Sequence, residues 1–354
     1  MMSEDASRRW SLAGRAVLVT GATGAVGGHL VEALLEAGAR VFILTRSAQR
    51  ARARDWCRQV RCREGDLSVP DSLRGLLRDI EVVIHLASYK PGPHEPDLYA
   101  SPGHWTVSVE GTRALLAEAA SAGVTRFIYL SSIKAMGDAV GAAGVAADER
   151  SLPSPACAYG RAKLEAERAL LAAGDCEGMH VAVLRSPMVY GLDAGGNLPR
   201  LVRAVADGRF PPWPRVRNRR SAIHVRDLVA AILLVLSHPR AAGQVYLVTD
   251  GQAYSTRWLY EQSRAAMGRP VPTWTVPMWL LRGAAQAGTL LQTRLGRPMP
   301  LTSASLGKLS GDAWFSSKKI EQELGFVPRC SLEGEIPRLV GQHLVRRGAS
   351  RHSD

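Results

Sequence analysis

The hydrophobic pattern changes period again and again from Arg15 onward. Ala16-Val17-Leu18-Val19 is an unbroken apolar run, too short for a helix and suited to a strand buried on both faces. A glycine-rich turn follows, and Leu30, Leu34 and Leu35 then recur at helical spacing until Gly38. The cycle repeats with a strand at Val41-Phe42-Ile43-Leu44, a basic helical segment, a short strand around Val60–Arg63, a helix from Pro70 to Arg78 and a strand at Val82-Val83-Ile84-His85. Further on the pattern predicts a helix over about Trp105–Ala122, a strand at Phe127–Leu130, a helix over about Tyr159–Ala173 and a strand at Val181–Leu184. Continuous apolar strands separated by helices need cover on both sheet faces, which predicts an α/β fold with a doubly wound parallel sheet. After Arg185 the chain loosens into Pro- and Gly-rich stretches, returns to a helix and strand over Asp227–Val248, and then becomes irregular. We therefore expect one domain from 12–186 plus 222–250, a smaller C-terminal lobe from 187–221 plus 251–340, and flexible tails at 1–11 and 341–354.

The chain has 354 residues, 46% hydrophobic and 22% charged, a balance that excludes a disordered, fibrous or membrane-embedded protein. Its 45 Lys and Arg against 32 acids give a formal charge of +13, so the surface attracts anions. The excess gathers at Arg46–Arg63, Arg215–Arg220 and Arg346–Arg351 without a long basic run interleaved with aromatics, so nucleic acid is not the expected partner. Cys57, Cys62, Cys157, Cys176 and Cys330 form an odd, unclustered set, read as free thiols in a reducing, cytoplasmic setting, and neither they nor the histidines show metal-ligand spacing. The polar start of the chain lacks the apolar core of a signal peptide. Val276–Leu291 is strongly apolar but broken by Arg282 and Gln286 and shorter than the ~20 residues of a membrane span. It reads as a lobe-packing helix, with a helix lying on a membrane surface as the alternative.

Thr20-Gly21-Ala22-Thr23-Gly24-Ala25-Val26-Gly27 joins the first strand to the first helix. Glycines there let the backbone turn tightly and approach a pyrophosphate, and the helix N-terminus offers unpaired N–H groups to phosphates. Gly21, Thr23, Gly24, Ala25, Val26 and Gly27 are thus the candidate dinucleotide site of a Rossmann-type domain. The end of the second strand reads Thr45-Arg46-Ser47, with Arg50 one turn further and no carboxylate. An Arg there suits the extra phosphate of NADP, so NADP(H) is favoured over NAD(H). Asp66, followed by Leu67, is a candidate adenine contact or an ordinary turn residue.

Tyr159 and Lys163 stand at i and i+4, on one face of a predicted helix. A cation close to a phenol stabilises the phenolate, which lets the pair exchange a proton with a substrate hydroxyl or carbonyl. Ser131 and Ser132, at a strand end, can donate to the same oxygen.

The set resembles the extended short-chain dehydrogenase/reductases of the NAD-dependent epimerase/dehydratase type, over about Gly14–Pro337. The resemblance rests on the glycine turn, His85-Leu86-Ala87, Ser131-Ser132, the Tyr159/Lys163 pair and Leu184-Arg185-Ser186-Pro187-Met188-Val189-Tyr190-Gly191. It implies that Ser132 and Tyr159 activate a carbonyl, that Lys163 holds the nicotinamide ribose, and that Leu86, Ala87, Ser88 and Pro187 lie along the cofactor. Ser131–Gly137, Gly196-Asn197-Leu198 and Arg219–Asp227 are similar to the nucleotide-sugar 4-epimerase and 4-ketoreductase branch. That likeness implies substrate contacts from Lys134, Tyr190, Asn197, Leu198 and Arg220, with Arg220 on a phosphate, and a place in nucleotide-sugar metabolism and polysaccharide biosynthesis. Asp227 reads as the cap of the following helix. Ser108 stands where relatives often carry Asn, which weakens a proton-relay reading. The implied activity is reduction of a 4-keto-6-deoxy nucleotide-linked sugar by NADP(H), in a homodimer. The alternatives are a UDP-sugar 4-epimerase with bound NAD, a reductase of a steroid- or flavonoid-like ketone, and a non-catalytic NAD(P) sensor.

Overall fold

The computed structural model describes residues 10–92, 99–137, 144–191, 197–297 and 299–350, without the side chains of residue 197 and of 346–350. Seven strands form one parallel sheet in the order β3-β2-β1-β4-β5-β6-β9. They are β1 (Ala16–Thr20), β2 (Arg40–Thr45), β3 (Arg61–Glu64), β4 (Val82–His85), β5 (Arg126–Ser132), β6 (His180–Ser186) and β9 (Gln244–Leu247). A separate parallel pair joins β7 (Met188–Tyr190) to β8 (Ala222–His224).

The helices are α1 (Ala25–Glu36), α2 (Ala48–Arg52), α3 (Gly103–Trp105), α4 (Gly111–Ser121), α5 (Ala158–Glu177), α6 (Asn197–Ala206), α7 (Val225–Ser237), α8 (Thr256–Ala265), α9 (Met278–Leu295), α10 (Ser303–Ser310), α11 (Lys318–Leu324) and α12 (Leu332–Ser350). Strand residues alternate between the two cores, as period two requires. Val17 and Val19 pack with Leu30 of α1 and Leu228 of α7, whereas Ala16 and Leu18 pack with Leu115 of α4 and Leu170 of α5. Chain order reverses between β1 and β4, so a crevice opens beyond the carboxyl ends of these strands, where such sheets bind ligands.

The predicted sheet and its alternation hold, and four details differ. The segment predicted as a helix over Pro70–Arg78 is a 3-10 turn at Pro70–Leu73, stopped where Gly75 takes φ +70°. The helix predicted over Trp105–Ala122 is interrupted by a π-helical turn at Thr106–Glu110. The lobes divide differently as well: β8 pairs with β7 outside the large sheet, and Ile320, Leu324 and Phe326, expected in the smaller lobe, pack into the main core. Finally, the expected tail at 341–354 continues α12 and is helical through Ser350.

Candidate active site

The turn after β1 is tight because its neighbours leave no room. Gly21 sits at φ +70°, and a Cβ there would lie 2.8 Å from the Ala87 amide nitrogen; one on Gly27 would lie 2.2 Å from the Gly21 carbonyl oxygen. Gly24 is the N-cap of α1 and supplies no side-chain cap, and the first turn, with Ala25 and Val26, holds no acid. The N–H groups of that turn therefore keep their positive end for a ligand anion. Arg54 donates from Nη2 to the Thr23 carbonyl at 2.6 Å. Sequence reasoning missed Arg54, since only the fold-back after α2 brings it to the glycine turn. Arg46 is exposed beyond β2. Beside it Glu64, at the end of β3, accepts the Ala48 N–H at 2.9 Å, so a neighbouring strand brings the carboxylate that the second strand lacks. Asp66 accepts the Ser68 amide (2.9 Å) and hydroxyl (2.8 Å) and so closes its own turn, while Leu67 is buried.

His85 holds β4 to β1 beneath this turn. The Ala87 N–H donates to Thr20 Oγ1 (3.1 Å), and Thr20 Oγ1 lies 2.6 Å from His85 Nδ1. His85 Nε2 lies 3.0 Å from Thr112 Oγ1, which donates to the Ser108 carbonyl. Because the Thr112 hydroxyl proton goes to Ser108, Nε2 must donate and Nδ1 must accept, which fixes one neutral tautomer. Burial, with a smaller effect of Lys163, pushes the imidazole down to about 3 and keeps it neutral.

The catalytic candidates meet where β5 ends against the start of α5. A Cβ on Gly160 would lie 2.2 Å from the Lys134 carbonyl oxygen, so α5 presses onto the turn that carries Ser132. There Ser132 hydrogen-bonds the Tyr159 phenol. Lys163 is 2% exposed, donates from Nζ to the Leu130 carbonyl at 2.9 Å, and lies 4.5 Å from the Tyr129 ring centre and 5.9 Å from that of Tyr159. Burial pushes the phenol of Tyr159 up to about 12, against the bond from Ser132. Burial likewise lowers Lys163 to about 8, opposed by Glu167. Glu167, one turn beyond Lys163, accepts the Ser131 hydroxyl and pairs with Arg185 at 2.6 Å, with all three side chains buried. Ser131 is thus committed below the site and Ser132 faces the phenol. The Glu167–Arg185 pair also escaped sequence reasoning, because nothing local links a residue of α5 to one of β6.

A cavity of about 360 Å³ opens on these groups. Leu86, Ser88, Ser132, Tyr159, Lys163 and Pro187, all named from sequence, line it together. Tyr89, Tyr99, His104, Leu130, Ser131, Ser186 and Val189 complete its walls. His104 and Tyr99 carried no motif, yet their ring centres lie 5.0 and 5.5 Å from that of Tyr159. Two ammonium groups approach Tyr99: Lys134 at 5.5 Å and Lys308 at 4.3 Å from the ring centre.

The other expected substrate residues are placed elsewhere. Tyr190 is fully buried, and its hydroxyl donates to Asp250 Oδ2 at 2.9 Å, so it packs the lobe junction and does not wall the cavity. Leu198 is buried in the same apolar cluster, and the side chain of Asn197 lies outside the described residues. The Arg220 guanidinium donates to the Lys308 and Gly311 carbonyls, which ties it to the end of α10. Asp227 is not the cap of α7, a place His224 takes; its carboxylate accepts the Arg329 and Cys330 N–H groups (3.1 and 2.9 Å). The Ser108 hydroxyl is buried, with no hydrogen-bond partner among the described residues.

Comparison with known proteins fits this arrangement. A family model described as the NAD dependent epimerase/dehydratase family matches residues 17–249. The chain is 31% identical to a UDP-glucose 4-epimerase of Vibrio cholerae over 266 residues, which is 75% of this chain and 80% of that protein. It is 27% identical to a 3 beta-hydroxysteroid dehydrogenase/Delta 5→4-isomerase of Mycobacterium tuberculosis, over 88% of this chain and 86% of that one. Among solved structures, a dTDP-glucose 4,6-dehydratase of Streptomyces venezuelae with NAD bound superposes with a TM-score of 0.70 at 22% identity, covering 94% of this chain and 98% of that one.

Proposed function

Since the chain belongs to the NAD-dependent epimerase/dehydratase family and is an enzyme of the extended short-chain dehydrogenase/reductase type, we propose that it reduces the C4 ketone of a nucleotide-linked sugar with NADP(H). The observation that carries the reaction type is the Tyr159 phenol, bonded by Ser132, beside the buried Lys163 on one cavity wall.

The residues present fit a dinucleotide. The uncapped start of α1 and the two cramped glycines leave a shallow, N–H-lined cradle that a Cβ at Gly21 or Gly27 would distort. Thr23, Gly24, Ala25 and Val26 would hold the pyrophosphate, Asp66 and Leu67 the adenine side, and Leu86, Ala87, Ser88, Lys163 and Pro187 the nicotinamide side. Arg46 and Arg54 would meet a 2′-phosphate, which supports NADP(H), whereas Glu64 supports NAD(H). The bound cofactor supplies the hydride.

The protein's own part is proton transfer and positioning. At neutral pH the phenol of Tyr159, pushed up to about 12, carries its proton and can donate it to the ketone oxygen as hydride reaches carbon. With substrate present the Ser132 hydroxyl can turn its one proton from the phenol to that oxygen, and the Lys163 ammonium balances charge on the phenolate left behind. Lys134 and Lys308 beside Tyr99 support an anionic substrate tail such as a nucleoside diphosphate.

The apolar walls Leu86, Leu130 and Val189 favour a second reading, reduction of a steroid- or flavonoid-like ketone. The test mixes purified protein with NADPH or NADH and, separately, a UDP-4-keto-6-deoxy-hexosamine and a steroid ketone, following nicotinamide absorbance. UDP-glucose and UDP-N-acetylglucosamine are run in parallel by chromatography. Stoichiometric NADPH oxidation with the keto sugar is expected. Turnover of the steroid alone would replace the sugar, 4-epimer without net cofactor change would make the protein an epimerase, and no turnover of any substrate would leave the sensor reading.

A further inference from the structure

We propose that α9 is a membrane-surface helix that docks the protein on anionic lipid. The helix is held to the second lobe along one seam only: Leu281 and Ala285 are buried, and a Cβ on Gly288 would lie 2.0 Å from the Leu301 carbonyl oxygen. At about 100° per residue, the outward arc from Trp279 and Leu290, through Leu280 and Leu291, to Leu295 spans roughly 160° and is interrupted by Arg294 alone. Trp279 is 72% exposed and Leu295 58% exposed, and Trp274, just before the helix, is 62% exposed. So broad an apolar face, in a chain that has cores elsewhere, needs a partner.

The charge around the face selects the partner. Between Glu261 and Asp312 the sequence contains no Asp or Glu, while Arg294 stands within the face and Arg282 and Arg297 lie beside it. A second copy docked face to face would set these arginines against their own kind, with no carboxylate between 262 and 311 to offset them. Anionic headgroups pair with them, the aromatic Trp274 and Trp279 suit the headgroup level, and Arg294 can run its stem along the apolar face to bring its charge to the surface. No described helix is long and apolar enough to cross a membrane, so α9 lies on the surface. The proposal is independent of which ketone is reduced.

The test is co-sedimentation of the full chain with vesicles of phosphatidylcholine alone and of phosphatidylcholine mixed with phosphatidylglycerol. Three arginines at the surface should raise affinity for the mixed vesicles on the order of a hundredfold, an advantage that high salt removes. Trp279→Ser with Leu290→Ser should abolish binding, and Arg282→Gln with Arg294→Gln, which leaves the apolar face intact, should cut the advantage of the mixed vesicles by at least tenfold. Failure of the wild-type chain to sediment with the mixed vesicles overturns the proposal, as does binding that ignores both variants. So does a wild-type dimer that the Trp279→Ser, Leu290→Ser variant turns into a monomer, since a second copy would then own the face.

Discussion

Glu167 joins the chemistry of the site to the stability of the fold, and replacing it separates the two. Its carboxylate takes the Arg185 guanidinium through three N–H···O contacts of 2.6 to 3.2 Å in a place where neither side chain reaches water. Glu167→Leu leaves that guanidinium buried without a counter-charge, at a cost of about 3–5 kcal/mol. With an unfolding entropy of about 2.1 cal/mol/K per residue over 354 residues, Tm should fall by about 4–7 °C. Adding Arg185→Leu removes the stranded charge, so the double variant should recover most of the loss even though it carries one more substitution. Calorimetry at neutral pH on the wild type, both single variants and the double variant measures this. A double variant as unstable as the sum of the singles would refute the argument, because it would mean that the pair contributes through packing and not through mutual neutralisation. The isosteric Glu167→Gln gives the chemical half: without the carboxylate that opposes burial, Lys163 falls below about 8 and the alkaline limb of the pH–rate profile moves to lower pH.

Tyr159→Phe should lower kcat by about 10²–10⁴-fold with cofactor binding unchanged in a fluorescence titration; near-normal turnover would end the proton-donor role. Because the phenol is held up to about 12, reduction should proceed at neutral pH while the reverse oxidation, which needs the phenolate, should accelerate as pH rises; parallel pH profiles of the two directions that rise together would contradict this. Asp250, buried under the phenols of Tyr190 and Tyr254, is raised to about 6 by burial, so the folded protein holds its proton more tightly than the unfolded chain does. Its stabilising contribution is therefore full below about pH 4 and is lost as pH climbs through 6, by up to about 3 kcal/mol. Asp250→Asn should flatten that limb in thermal melts taken across pH 4–7, and an unchanged slope would assign the dependence to another group.

What the sequence carried openly was whatever the chemistry of the chain requires locally. The apolar runs had to be strands covered on both faces, which made the parallel sheet legible, although its strand order appears only in the fold. Gly21 and Gly27 were legible because a turn after a strand at a helix start leaves few other uses for glycine, and Tyr159 and Lys163 because i and i+4 share a helix face. Leu86, Ser88 and Pro187 were named through family resemblance and do line the cavity. The failures share a different cause. Tyr190 and Leu198 were placed by likeness to motifs, but an aromatic or aliphatic side chain near a site can turn into the core, and both did. Asp227 looked like a cap because acids favour helix starts, and its actual partners, the Arg329 and Cys330 amides, lie about a hundred residues away. Arg54, Glu64, His104 and Glu167 were invisible for the same reason, since each acquires its partner only when distant strands and helices meet.

The partners that only folding supplies are the ones that set protonation at the site. Lys163 could be read as a cation from its residue type, but its shift to about 8 depends on burial against Tyr129, from β5, and on the opposing charge of Glu167 one turn on. His85 could be read as titratable, but burial keeps it neutral, and Thr20 of β1 and Thr112 of α4 fix its tautomer. Ser131 and Ser132 are adjacent in the chain and alike in chemistry, and strand alternation sends one hydroxyl to Glu167 and the other to the phenol. A parallel sheet ends all its strands at one edge, so the groups it delivers there share a small buried volume and perturb one another. That crowding also puts the Glu167–Arg185 pair on Ser131, the neighbour of the serine at the phenol, and a substitution meant to probe catalysis at this edge must therefore be read against a measured stability.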